Sequence, residues 1–135
     1  MSYGPFIYSD ESTLRDGAAY VSVPAGIATK DELLTVIASG LNFPGYFGNN
    51  WDALEECLRD LSRISGGRVA LMHADIPLVN DVANARMYLT VLCGAVRKMS
   101  KSEDYSLSAI FPTEFREQIE WLLRVQERED TNRAR

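Results

Sequence analysis

The chain has 135 residues, 46% hydrophobic and 24% charged, which suits one domain that buries a core without disulfide or metal staples. Its net charge of −5 is local: residues 31–60 hold six acids and one base, while the other 13 acids are matched by 13 bases. A field of one sign on one segment steers basic partners and repels phosphates, which argues against direct nucleic-acid binding.

Residues 1–18 are polar around one short apolar run, Phe6-Ile7-Tyr8, which either adds an edge strand or wraps the surface. They lack a basic stretch followed by a long apolar one, so no secretory signal is expected. No apolar run in the chain approaches the roughly 20 residues that span a bilayer, and a cytoplasmic location is expected. "AYVSV" (19–23) predicts a strand, stopped by Pro24 and Gly26. Thr29 and Glu32 form a capping-box pattern before Leu33, Leu34, Val36, Ile37 and Leu41, predicting a helix over 30–41. A loop follows, "NFPGYFGNN", whose Pro44, Gly45 and Gly48 demand unusual backbone torsions.

Asn50 is a suitable N-cap for a second helix over 51–62. Trp51, Leu54, Cys57, Leu58 and Leu61 form its apolar stripe, with Asp52, Glu55, Glu56, Arg59 and Asp60 opposite. After "GG" at 66–67, "RVALMH" (68–73) predicts a buried strand. A third helix, 81–100, carries a wide apolar face of Val82, Ala85, Tyr88, Leu89, Leu92, Cys93, Val96 and Met99. "YSLSAIF" (105–111) predicts another strand, and Pro112-Thr113 opens a last helix whose end, 128–135, is expected to fray. There Phe115, Ile119, Trp121, Leu122 and Val125 are apolar, with core filling expected of Trp121 and self-association its other use. Strands separated by helices favour parallel pairing, so the fold class is α/β with a small parallel sheet of three strands.

Catalytic chemistry finds little support. The single histidine, His73, ends a buried strand with Asp75 nearby but no chosen nucleophile, and it is read as structural. Cys57 and Cys93 are far apart in apolar patterns and are read as buried free thiols, leaving no ligand set for a metal. No phosphate-binding loop, dinucleotide fingerprint or zinc-protease motif occurs, and no cofactor is expected. Asp52 and Glu56 are i,i+4 neighbours, but both lie on one polar face, whereas acid–base catalysis wants one dry and one wet carboxyl. First-turn acids complement the helix dipole and Arg59 can bridge Glu55 or Glu56, yet like charges at i,i+4 repel. Tyr46 and Phe47, set among glycines beside these acids, are also left without a purely structural role.

The stretch "LNFPGYFGNNWDALEECLRDL" (41–61) resembles the signature of the barstar family of intracellular ribonuclease inhibitors. Tyr46, Phe47, Gly48, Asn50, Asp52, Ala53, Leu54, Glu56, Cys57 and Leu58 satisfy that pattern at unbroken spacing. The resemblance implies a barstar-like domain over 19–111, with 1–18 as an extension and 112–127 as an additional helix. It implies a non-catalytic inhibitor whose loop 43–50 and second helix plug the active site of a small basic ribonuclease. The implied partner-binding residues are Tyr46, Phe47, Gly48, Asn49, Asn50, Asp52, Glu55 and Glu56, with Tyr46 as the covering aromatic and Asp52 and Glu56 as anionic anchors. The free protein is expected to be a monomer, serving as an antitoxin or immunity protein. Two departures stand beside the match. The family has Trp and Asp where Glu55 and Glu56 occur, and it uses an acid on the third helix, whereas no acid lies between Asp81 and Glu103. The competing expectation is an interaction module that keeps the acidic face for another basic protein.

Overall fold

The computed structural model describes residues 5–9, 19–41, 50–60, 67–102 and 105–133, with side chains through 124. Three short, largely apolar segments form strands β2 (Ala19–Val23), β3 (Arg68–His73) and β4 (Ser106–Phe111). A fourth strand, β1 (Ile7–Tyr8), joins them. All pairs are parallel, in the order β1-β4-β3-β2, with Val21 beside Leu71, Leu71 beside Ala109, and Ile7 beside Ile110.

The sheet thus has four strands where three were expected. Two paired residues carry no readable period, and their partner strand lies about a hundred residues away. What holds them is tertiary: Phe6 is buried with its ring 5.2 Å from that of Phe111, and the Ser9 N–H donates to the Phe111 carbonyl at 3.0 Å.

The helices are α1 (Lys30–Gly40), α2 (Trp51–Arg59), α3 (Val82–Met99) and α4 (Arg116–Arg133), the last entered through a 3-10 turn at Thr113–Phe115. Thr29, Asn50 and Asp81 cap the first three, each side chain accepting from the backbone N–H three residues on. α2 stops at Arg59, short of 62, and Asp60 already has ψ 85°, outside the helical region. α4 is helical through Arg133, within the 128–135 stretch expected to fray, of which 134–135 lie outside the described residues. Its Glu and Arg residues are good helix formers.

α3 is the hub, packing against β4, α2 and α4, while α1 covers β2. Leu33, Leu34 and Ile37 of α1, Leu54 and Leu58 of α2, Tyr88, Leu89 and Leu92 of α3, and Leu71 and Phe111 of the sheet are fully buried. At roughly 1.5–3 kcal/mol per buried large side chain, these positions supply the main drive to fold. α1 approaches β2 so closely that a Cβ on Gly40 would lie 2.8 Å from Val21 Cγ1.

Three side chains depart from the apolar stripes. Val82, the first residue of α3, is 40% exposed, and Cys57 is only partly buried. Trp121 is 50% exposed, because it shares a face of α4 with Glu117 and Arg124 that turns away from the core. Among the described residues, no helix is long and apolar enough to cross a membrane.

The candidate partner-binding face

His73 has a structural role, visible in its bonding. The ring is buried and stacked on Phe111, centroids 4.0 Å apart and planes within 11°. Nδ1 lies 3.1 Å from the Ile110 carbonyl, which only accepts, so Nδ1 carries the proton. Nε2, 2.6 Å from the Tyr88 oxygen, then accepts from the Tyr88 hydroxyl. Burial holds the imidazole pKa down to about 4, against the pull of the Ile110 and Leu71 carbonyls, and keeps the ring neutral. Asp75 does not orient it: its Oδ2 accepts from the Gly26 N–H at 3.0 Å, tying the β2–α1 turn to the end of β3.

The polar face of α2 is arranged differently. Asn50 starts the helix, its Oδ1 accepting from the Ala53 N–H at 2.8 Å. Trp51 anchors it, 8% exposed, with its ring 6.3 Å from Tyr88 and under the Lys30 ammonium at 5.2 Å. Leu54 and Leu58 continue the buried stripe against α3. With that side fixed, Asp52 and Glu56 can only project into solvent, and both are exposed.

Asp52, Glu55, Glu56, Arg59 and Asp60 line one open depression of about 330 Å³, four carboxylates with one guanidinium. Arg59 chooses between its two candidate partners: Nη2 lies 3.0 Å from Glu55 Oε1, the i,i+4 arrangement. Among the described residues, no cation is paired with Asp52 or Glu56. The face therefore combines charge with room. Carboxylates on a rigid helix can replace phosphates as hydrogen-bond acceptors for Arg and Lys.

Of the positions expected to bind a partner, Asn50, Asp52, Glu55 and Glu56 are brought together at the start and outer face of α2. Tyr46, Phe47, Gly48 and Asn49 lie outside the described residues. Arg59 and Asp60 were not in the expected set, yet they line the same depression. The helical period had already placed them on that face. Among the described residues, no group of three or more His, Cys, Asp or Glu side chains could hold a metal ion.

The family described as Barstar (barnase inhibitor) matches residues 21–110, from within β2 to near the end of β4 and including all of α2. The chain belongs to the barstar family. Its α/β fold with a parallel sheet is barstar-like, and the family is one of inhibitors of barnase-type ribonucleases, not of enzymes. No curated protein and no solved structure matches the chain. The barstar match leaves β1 and α4 outside it, while the depression on α2 falls within it.

Proposed function

We propose that this barstar-family chain inhibits a small basic ribonuclease by seating α2, with the loop before it, in the enzyme's active site. The observation that carries this reading is the exposed pair Asp52 and Glu56 on a helix locked from behind by Trp51, Leu54 and Leu58. A ribonuclease site holds phosphates with cations, and two carboxylates fixed at helical spacing present acceptors without a chain to cleave. The acidic segment also speeds encounter with a basic enzyme, an effect that salt weakens. In this reading the inhibitory domain is 19–111, the segments 1–18 and 112–127 are additions to it, and the protein acts inside its producing cell as an antitoxin or immunity protein.

The test is capture of the partner from the producer's lysate and secreted fraction at low salt, using wild type and Asp52→Ala/Glu56→Ala in parallel. A small basic nuclease held by the wild type, inactive while bound and released by the double substitution, is the expected result. The double substitution should weaken binding by several kcal/mol, as charged hot spots do, those of barstar itself among them. It should change folding stability by less than about 1 kcal/mol, because both side chains are in water. A nuclease bound equally by both proteins would refute the site.

A second reading keeps the face and changes the target: a basic partner that is not a nuclease. It is favoured by α3, where no acid lies between Asp81 and Glu103 and where Arg97 and Lys98 are exposed. An acid-dependent partner without nuclease activity would establish that reading instead.

A further inference from the structure

The α2 face is not uniformly acidic, and among the described residues the one cation lining its depression is placed where a partner would meet it. Arg59 lines the depression together with Asp52, Glu55, Glu56 and Asp60. Its side chain is 41% exposed and that of Glu55 is 37% exposed, so their pair is a surface ion pair. Such pairs contribute little and exchange readily for a better acceptor. A guanidinium has five N–H donors in a planar fork, more than one carboxylate oxygen can satisfy.

The neighbouring helix α3 approaches Arg59 without supplying it an acceptor side chain. Gly94 of α3 is the position beside it, and a Cβ there would stand 3.9 Å from Nη2. With no side chain on Gly94, only its backbone faces the guanidinium there. Nor does α3 offer it a second acid, since its last turn carries Arg97 and Lys98.

A purely cationic site closing over this depression would press like charge against Arg59 in a partly dried interface, where screening is weaker than in water. A site that sets a carboxylate among its cations would instead complete the guanidinium's bonding while Asp52 and Glu56 meet the cations. We infer that the partner presents a carboxylate to Arg59 beside the cations that receive Asp52 and Glu56, which makes Arg59 the residue that selects among basic nucleases. The inference rests on the inhibitor reading. It adds a requirement on the partner, since ribonuclease sites can include a carboxylate as general base.

The test uses barnase, the enzyme named in the family's description, and a panel of barnase variants. In each variant one Lys or Arg of its RNA-binding cleft is replaced by Glu. Affinities are measured for wild type, Arg59→Gln, and Asp52→Ala/Glu56→Ala. At least one acid-for-cation replacement should tighten wild type tenfold or more and leave Arg59→Gln within twofold of its affinity for unaltered barnase. Arg59→Gln following wild type across the whole panel would overturn the inference while leaving the inhibitor reading intact. If the Asp52→Ala/Glu56→Ala chain follows wild type, the α2 face is not the docking face and both readings fall. Circular dichroism and thermal unfolding of Arg59→Gln establish that a changed affinity is not a changed fold.

Discussion

Acidification should weaken this fold through His73, well above the pH at which most carboxylates protonate. In the unfolded chain the imidazole titrates near 6.5, whereas in the buried site its pKa is held near 4. Protonation in place would confront the Tyr88 hydroxyl with a donor instead of an acceptor and put a charge against the Phe111 ring in a dry core. The folded state therefore binds fewer protons than the unfolded state between those two values, so stability rises with pH across that window. The contribution is complete above about pH 6.5 and is lost as pH falls towards 4. A displacement of roughly 2.5 units at 1.36 kcal/mol per unit corresponds to about 3 kcal/mol, of which about 2 is gone by pH 5.

Urea unfolding of wild type and His73→Gln at half-unit steps from pH 7.5 to 4.5 measures this directly. The variant should be less stable at neutral pH, having lost the ring stack, yet show a flatter profile between 6.5 and 5. Carboxylate titration is common to both and cancels in the difference. Parallel profiles would refute the argument. So would an imidazole that titrates above pH 6 in the folded wild type by NMR, a readout that does not require the variant to fold.

Other perturbations test the backbone geometry. Gly40→Ala should destabilise by about 1 kcal/mol, although alanine is the better helix former, because the new methyl meets the stiff Val21 side chain at 2.8 Å; equilibrium unfolding reads the sign. Leu78, 1% exposed, adopts a left-handed backbone with φ 62°. Leu78→Ala should therefore cost about 3 kcal/mol and Leu78→Gly about 1 kcal/mol less than that, the reverse of their order in a helix. Asn50→Ala removes the cap of α2 and should cost about 1 kcal/mol, with faster amide exchange confined to the first turn of that helix.

The helices were legible in the sequence because each keeps a 3.6-residue period and three of them open on a capping side chain. The parallel pairing of β2, β3 and β4 followed from the helices between them, though not their order in the sheet. For Phe6-Ile7-Tyr8 the sequence left an edge strand and a surface wrap equally open, since Ile7 and Tyr8 take their structure from Ile110 and Phe111, far along the chain; the edge strand is what forms. The stripes placed most of α3 and α4 correctly, but Val82, at the first position of α3, is 40% exposed, and Trp121 falls on the outer face of α4 with Glu117 and Arg124. At the candidate site, the acids and Arg59 could be placed on one face by counting. That Arg59 takes Glu55 rather than Glu56 depends on side-chain reach, which spacing constrains but does not decide. The structural reading of His73 was available early; its partner Tyr88, supplied by the next helix, was not.

The short strand β1 has a bearing on how the protein is made. It covers the outer edge of β4 near Ile110 and Phe111, leaving β2 as the sheet's other border. An uncovered β4 would offer a row of unpaired backbone groups to any passing strand. Its cover is translated about a hundred residues before β4, so a nascent chain holds the lid long before it has anything to close. The guard against sticking is a tethered piece of the same molecule, and it takes up its post only when two segments about a hundred residues apart meet.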